Sequence, residues 1–328
     1  MGVLGLWISL LGVKLTKLLI DYTMNLVGVK GRYFKRPKSW NRKGISMNSD
    51  EKLEILKARE YIVSKSNQIV QKSRYDFSVT EQRTIAYICS KIKPIDVVDK
   101  AKGVPFQLEY DFNILDYCRI CGIQDNGRQY EDVKAILKGL RDKSMWLTLP
   151  DGSETTVGWL AKATTNKRSG IAKIKIDEDL APYLFDLKSK FLSYGLRNIL
   201  NMKSQYSIRF YELLKSHYDM KIGQTDHRSK LEKSYEPKMI TWIIDLDELK
   251  RLLMVDTVKS YSNFKDFRKY VLEKAQREIN ELTDMNIYFE PITKGKKVVK
   301  LQIDMIAKVP SESQKAIMLN EKLLGELE

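Results

Sequence analysis

The sequence predicts an α+β protein of two tandem domains, each a helix-turn-helix unit with an appended β-hairpin, joined by a long helix. The chain has 328 residues, which is enough for two domains that each bury a core of their own. With 43% hydrophobic and 30% charged residues, its composition is typical of a globular protein. One order of elements, namely helix, strand, short helix, long helix and hairpin, occurs twice along the chain. The repeat lies in the hydrophobic pattern, because the two copies share little literal sequence.

The first copy starts with a capping box, Ser78-Val-Thr-Glu81, which predicts a helix directly after it. Residues 104–110, VPFQLEY, alternate between apolar and polar types and predict a short strand. Asp111 is the predicted N-cap of a short helix that Gly122 ends. These signals place one helix, one strand and one short helix in that order.

A longer helix is predicted over residues 128–143, with apolar residues at helical spacing on one side. The turn residues 150–153, PDGS, then separate MWLTL from TTVGWLAKA and predict a hairpin. The basic segment 164–170, TTNKRSG, is predicted to be a surface loop before the alternating strand IAKIKI. The first copy therefore ends in β-hairpins.

The second copy begins with a long helix predicted over residues 197–218, followed by the strand MITWIID over residues 239–245. Asp245 and Glu248 have the spacing of a capping box, which predicts a short helix from residue 246. A long helix over residues 263–283 comes next. In the final predicted hairpin, the turn TKGKK joins the strands NIYFEPI and VVKLQID.

This order of elements is that of the winged helix, in which the second helix of the helix-turn-helix enters the major groove of DNA. The predicted domains are an apolar and basic N-terminal extension over residues 1–46, a first winged helix over 47–195, a second over 196–308, and a C-terminal tail over 309–328. The tail is predicted to be a short helix that packs on the domains or frays.

The net charge of +15 favours a polyanionic partner such as DNA, RNA or an acidic membrane surface. On the predicted helix over 263–283, a rotation of about 100° per residue places a polar and basic group on one face. That face carries Lys265, Arg268, Lys269, Leu272 and Gln276. Arginine recognises guanine and glutamine recognises adenine in the major groove, so this face is a candidate base reader. The alternative is a solvated helix, since the same helix carries Glu273, Glu278 and Glu281.

Further basic residues lie where each wing would contact the DNA backbone. The turn after the second long helix adds Lys294, Lys296 and Lys297. The equivalent helix in the first copy carries Lys134, Lys138 and Arg141 outward, and its hairpin loop carries Lys167 and Arg168. Glu131, Asp132 and Asp142 reduce the net positive charge of the set on the first copy. A surface for protein contact is therefore the alternative there.

The sequence indicates a binding protein without a catalytic site, a cofactor or a metal. The three cysteines are too few and too scattered for a disulfide framework, which favours a reducing, cytoplasmic location. Cys118 and Cys121 form an isolated C-x-x-C without further ligands, so core packing is favoured over zinc binding or redox chemistry. The chain contains no phosphate-binding G-x-x-x-x-G-K-[ST] motif. The sequence has two histidines, His217 and His227, which lie ten residues apart. This spacing disfavours the paired-histidine metal site of rolling-circle nicking enzymes.

Residues 1–46 have a composition of their own. The uninterrupted apolar stretch ends at Lys14, short of the roughly 20 residues that a membrane-spanning helix needs. A basic segment, KGRYFKRPKSWNRKG, follows from Lys30 to Gly44. Three interpretations remain open: an upstream extension of a protein that starts at Met47, an amphipathic surface anchor, or a membrane segment.

Three blocks of the sequence resemble the iteron-binding plasmid replication initiators, the RepB/RepE/Pi group. They are IVSKSNQIVQKSRYDFSVTEQRTIAYICSKI, FLSYGLRNILNMKSQYSIRFYELLKSH and FKDFRKYVLEKAQREINELTDMNIYFEPITKGKKVVKLQI. The resemblance covers roughly residues 61–308 and implies two tandem winged helices that bind short direct repeats in double-stranded DNA at an origin. It also implies opening of an AT-rich segment, recruitment of the host initiator and replicative helicase, monomers active at the origin, and dimers that repress the protein's own promoter.

Two other functions are compatible with the sequence. A dedicated transcriptional repressor of the same fold would bind a single palindrome at a promoter. An interaction protein on the inner membrane would depend on residues 1–46 for its location.

Overall fold

The computed structural model describes residues 49–92, 103, 105–123, 127–187, 191–225 and 238–325. The predicted extension over residues 1–46 lies outside the described part of the chain. Within that part, no helix is both long enough and apolar enough to cross a membrane.

The first half of the described chain contains six helices and eight strands among its described residues. In chain order these are α1 (Ser49–Arg59), β1 (Ile62–Ser66), α2 (Asn67–Lys72), β2 (Ser73–Arg74), α3 (Val79–Lys91), β3 (Glu109–Asn113), α4 (Ile114–Ile120), α5 (Gln129–Asp142), β4 (Ser144–Thr148), β5 (Glu154–Gly158), β6 (Leu160–Asn166), β7 (Ile171–Ile176), α6 (Ala181–Leu184) and β8 (Phe191–Gly195). The helix α5 is called the first long helix below.

The second half continues with α7 (Arg197–Leu200), α8 (Gln205–Thr225), β9 (Met239–Asp245), α9 (Leu246–Leu252), α10 (Phe264–Phe267), a π-helical segment (Arg268–Leu272), α11 (Glu273–Leu282), β10 (Met285–Lys294), β11 (Lys297–Ala307) and α12 (Pro310–Gly325). Since α10, the π-helical segment and α11 follow one another without a gap, they form one continuous helix, called the second long helix below.

Two three-stranded sheets have the same topology and confirm the predicted repeat. In the first, β3 pairs with β7 and β7 pairs with β6, all antiparallel. In the second, β9 pairs with β11 and β11 pairs with β10, again antiparallel. In each copy the strand before the helix-turn-helix joins the last strand of the hairpin. The fold is therefore two tandem winged helices of α+β class.

The predicted capping box is present at the start of α3. The Ser78 hydroxyl accepts from the Glu81 backbone N–H at 3.3 Å, and the Glu81 carboxylate accepts from the Ser78 N–H at 2.8 Å. Both N–H groups would otherwise lack a partner at the helix end, which is why this sequence starts a helix here. The predicted end at Gly122 is also present: α4 ends at Ile120, Cys121 is its C-cap, and Gly122 has a positive φ of 63°.

The first predicted strand is displaced in the structure. Residues 105–108 are not a strand, and β3 runs instead from Glu109 to Asn113, where it finds its partner β7. Consequently Asp111 lies within the strand, and Asn113 is the N-cap of α4, accepting from the Leu115 N–H at 2.8 Å. Alternation alone does not show where the pairing partner lies.

The segment TTVGWLAKA is two strands rather than one. It breaks at Trp159, whose side chain is buried, so that β5 pairs with β4 and β6 pairs with β7. The segment 164–170 is correspondingly not all loop, since β6 continues to Asn166 and only the turn to Gly170 is irregular. The hairpin of β4 and β5 is thus an insertion between the first long helix and its wing.

The helix predicted over 197–218 is interrupted. It divides into α7 and α8, with residues 201–204 between them outside any helix. The Asn201 side chain is buried and donates to the Asn320 side-chain oxygen at 2.8 Å, while the Met202 carbonyl accepts from Arg83 at 2.7 Å. These contacts with residues distant in sequence stabilise the break. The local hydrophobic pattern does not predict them.

The D-x-x-E spacing at the start of α9 does not form a capping box. Asp245 occupies the N-cap position, but its side chain makes no capping hydrogen bond. Its carboxylate lies 3.7 Å from the Lys300 ammonium on the neighbouring strand, and Glu248 is paired with Arg251. Cross-strand charge pairing therefore replaces the predicted cap.

The central element is α8, because it is buried on most of its circumference. Every residue from Ser207 to Leu214 is buried, which is typical of a helix inside a core rather than at a surface. It contacts α2, α3 and β8 on one side and β9 and α11 on the other. Both winged helices therefore pack against a single helix.

The C-terminal tail packs as a helix instead of fraying. Asn320 on α12 is fully buried and donates to the Leu282 carbonyl at the end of the second long helix, at 2.7 Å. Lys308 donates to the Asn280 and Thr283 carbonyls near the same end. These donors satisfy carbonyl groups that a helix leaves unpaired at its C-terminus.

Candidate nucleic-acid interface

The second long helix is fixed by its cap and by one apolar face. The Asn263 side chain accepts from the Asp266 N–H at 2.9 Å and starts the helix. Phe267, Val271, Ala275 and Ile279 lie at intervals of four and are completely buried. The residues of the helix that point away from the core, such as Lys265, Lys269 and Arg277, are exposed to solvent.

A π-helical segment changes which residues share the outer face. A π turn contains more residues than an α turn, so residues after it are rotated relative to a uniform α-helix. As a result Leu272, predicted on the basic face, is completely buried. One row of exposed residues instead follows at intervals of four: Lys265, Lys269, Glu273, Arg277 and Glu281.

Arg268 is exposed beside this row and is held by neighbours. Its Nε donates to the Glu273 carboxylate at 2.9 Å, with both side chains about half exposed. Its guanidinium carbon lies 6.0 Å from the centre of the Phe289 ring on β10. A planar donor is therefore positioned at the junction of the helix and the wing, with its side chain about half exposed.

Gln276 connects the helix to the wing. Its side-chain amide donates to the Ile287 carbonyl at 3.0 Å, and Asn280 donates to the same carbonyl at 3.0 Å. Asn280 also accepts from the Ile287 N–H at 2.7 Å. One N–H of Gln276 is thus engaged within the protein, and the residue holds the helix and hairpin in register.

The tip of the wing is a concentrated positive charge. The strands end at Lys294 and Lys297, and only Gly295 and Lys296 lie between them. Gly295 has a φ of 62°, which favours glycine in so tight a turn. All three lysines are exposed, and among the described residues none of them forms an ion pair.

The first winged helix carries a weaker positive surface. Lys134, Lys138 and Arg141 are exposed on α5 as predicted, but Lys138 is paired with Asp142. At the hairpin tip, the Lys167 ammonium lies 3.7 Å from the Glu131 carboxylate. The hydroxyl of Tyr130 donates to Thr165 at 2.9 Å and joins the start of α5 to the wing.

The remaining predicted residue of that hairpin, Arg168, is also exposed in the turn after β6. The structure therefore brings the predicted residues together in two separate groups, one on each winged helix. Two predicted lysines of the first group, Lys138 and Lys167, have acidic partners, whereas in the second group the acidic partner is Glu273, beside Arg268.

Two family models match the chain across this pair of winged helices. The model described as "Initiator Replication protein, WH1" matches residues 62–215, and the model described as "Initiator Rep protein, WH2" matches residues 245–305. The chain belongs to the initiator replication protein family. The resemblance inferred from three sequence blocks is thereby confirmed.

Individual relatives of this initiator are distant. The "PI protein" of Escherichia coli is 25% identical over 229 residues, covering 66% of this chain and 68% of that protein. An "Uncharacterized 27.6 kDa protein" of Escherichia coli is 22% identical over 229 residues, covering 68% and 86%. The crystal structure of "Pi initiator protein in complex with iteron DNA" matches with a TM-score of 0.56 at 19% identity, covering 76% of this chain and 98% of that one. That likeness shows the same fold.

The structure adds two surface residues to those predicted from the initiator's sequence. Tyr270 is 53% exposed on the π-helical segment, with the Lys269 ammonium 5.2 Å from its ring centre. Arg277 is exposed in the outer row, four residues before Glu281. The prediction assumed a uniform rotation of an α-helix, which placed neither residue on the basic face. No signal in the sequence marks the π turn.

The C-x-x-C motif of this initiator lies in its core. Cys118 and Cys121 are both buried at α4, and burial raises the pKa of the Cys121 thiol to about 12. A thiol that stays protonated at neutral pH is a poor metal ligand and nucleophile. In the part of the chain that the structure describes, no group of three His, Cys, Asp or Glu side chains is arranged to hold a metal ion.

Proposed function

We propose that this initiator binds short direct repeats in double-stranded DNA at a plasmid replication origin through both winged helices. The observation that carries the proposal is the second long helix with its wing, where Lys269 and Arg277 are exposed on the helix and Lys294, Lys296 and Lys297 are exposed at the turn. Membership of the initiator family supports it. The matching crystal structure of the Pi initiator protein, which was determined in complex with iteron DNA, also supports it.

The two parts of this surface have different expected roles. The lysines of the wing have flexible, exposed charges, which suit phosphate contacts that position a protein without reading sequence. Arg268 has a planar guanidinium held at the helix surface, which suits bidentate contact with guanine in the major groove. The second winged helix is therefore the main reader, and the first contributes a second set of groove contacts or a surface for dimerisation.

We further propose that binding helps to open an AT-rich segment, that the bound protein recruits the host initiator and replicative helicase, and that it represses its own promoter. Wrapping and bending DNA around two winged helices would supply the deformation, since phosphate contacts offset its energy. The protein acts in this proposal by binding alone, in the cytoplasm, without catalysing a covalent step.

A footprint on the DNA that flanks the gene tests the proposal. Two groove-reading helices about two turns apart predict protected direct repeats of about 20 base pairs. A single protected palindrome at the promoter would instead support a dedicated repressor of the same fold. Absence of any protected site would contradict both.

Dimers are expected to prefer an inverted operator and monomers the direct repeats. The reason is that a dimer face on the first winged helix would compete with tandem binding. Separating the two species by size and titrating each on both DNAs measures the preference. Equal preference of both species would contradict a role for self-association in choosing the site.

A further inference from the structure

Arg209 is a buried cation at the contact between the two winged helices. It lies on α8 and is only 4% exposed. A buried charge destabilises a protein unless its donors are satisfied. Among the described residues Arg209 forms no ion pair with a carboxylate, so its compensation has to come from neutral groups.

Those groups belong to both winged helices. The Nη2 atom donates to the Ser73 carbonyl at 2.7 Å, and the Nη1 atom donates to the Tyr75 hydroxyl at 3.2 Å. The Nε atom donates to the Leu252 carbonyl at 3.3 Å. The guanidinium carbon also lies 4.6 Å from the centre of the Tyr75 ring. All three guanidinium nitrogens are therefore engaged, two toward the first half of the chain and one toward the second.

The acceptors lie on elements that the chain connects to the two long helices. Ser73 is in β2, which pairs with β4, and β4 begins directly after the first long helix ends at Asp142. Leu252 is the last residue of α9, the first helix of the second helix-turn-helix. Arg209 thus connects a strand paired with β4 to the helix that precedes the second long helix.

We propose that Arg209 is a positioning residue that fixes the orientation of the second winged helix relative to the first, and thereby the spacing between the two DNA-reading surfaces. This inference rests on the proposed binding of DNA by both winged helices. A planar guanidinium holds three acceptors in fixed directions, which an ammonium on a flexible stem does not. A carboxylate partner would anchor Arg209 to one element, whereas two backbone carbonyls and a hydroxyl anchor it across the boundary.

The orientation is measured first without DNA, by electron–electron distance spectroscopy between spin labels. Labels are attached at Glu109→Cys on β3 and Glu290→Cys on β10, both exposed positions. The native cysteines are buried, and burial raises the pKa of Cys89 and of Cys121 to about 12, so the labels react at the introduced thiols. We expect a narrow distance distribution that becomes about twice as broad in Arg209→Lys. An unchanged distribution would overturn the proposal, whatever the protein binds.

The second measurement uses DNA. Wild-type protein selects its site from a pool of random duplexes, and five base pairs, about half a helical turn, are then inserted between the two contacted halves. The wild type is expected to lose about tenfold or more in affinity on insertion, and Arg209→Lys less than about threefold. Equal losses in the two proteins would overturn the proposed role in spacing. If no duplex is selected, the proposed function fails while the distance measurement still decides the orientation.

Two variants separate positioning from general stability. Arg251→Lys changes an arginine whose side-chain hydrogen bonds, among the described residues, go to Glu248 on its own helix, so it should leave both the distance distribution and the spacing preference unchanged. Tyr75→Phe retains the ring under the guanidinium and removes one hydrogen bond, so an intermediate broadening is expected. If Arg251→Lys broadened the distribution as much as Arg209→Lys, the effect would not belong to Arg209 and the proposal would be wrong.

Discussion

Lys65→Met is expected to lower the free energy of unfolding by about 3–5 kcal/mol, because it leaves the carboxylate of Glu212 buried without its counter-ion. Lys65 on β1 and Glu212 on α8 form an ion pair in which both side chains are at most 5% exposed. Burial alone would lower the pKa of Lys65, but the neighbouring Glu212 raises it above its ordinary value. The Tyr194 hydroxyl donates to the same carboxylate at 2.5 Å. Urea unfolding followed by circular dichroism measures the loss.

A double variant and an exposed pair serve as controls. Lys65→Met combined with Glu212→Gln should recover most of the loss, since the buried charge is gone and Tyr194 retains an acceptor. Lys138→Met breaks the exposed pair with Asp142 and should change stability by less than about 0.5 kcal/mol. A cost for Lys65→Met no larger than that of Lys138→Met would show that the buried pair contributes little.

Arg268→Ala is expected to weaken binding to the cognate site by about 1–3 kcal/mol and to relax discrimination at one base position. Arg268 is half exposed, so the substitution should leave the stability of the fold nearly unchanged. Binding is titrated on cognate and scrambled duplexes over a range of salt concentrations. Equal weakening on both DNAs would make the second long helix a clamp on the DNA backbone, and the base reader would then be sought on α5.

Lys297→Ala is the matched comparison, because it removes one charge from the wing rather than from the helix. It should weaken binding to all DNAs about equally and reduce the slope of log affinity against log salt by about 0.9, the value for one lost phosphate contact. Base-specific loss in this variant would contradict the assignment of the wing to phosphate contacts.

The sequence by itself determined the class of the fold and the elements that carry the candidate basic residues. Capping signals such as Ser78 with Glu81, and apolar residues at helical spacing such as Val133 and Leu137, act over a few residues. The strand β9 has the predicted bounds, Met239–Asp245, because its pattern also depends on a few neighbouring residues. Because winged helices are assembled from such local elements in a fixed order, the order alone was enough to predict two of them.

Only the tertiary structure decided features that depend on partners distant in sequence. The break between α7 and α8 depends on Arg83 and Asn320, and the position of β3 depends on β7. The π-helical segment buries Leu272 and exposes Tyr270, which changed the outer face of the second long helix. In the sequence nothing distinguishes Arg209 from the other basic residues of the chain. Its three acceptors come together only when both winged helices pack on α8, because hydrogen-bond partners are set by proximity in space and leave no local pattern along the chain.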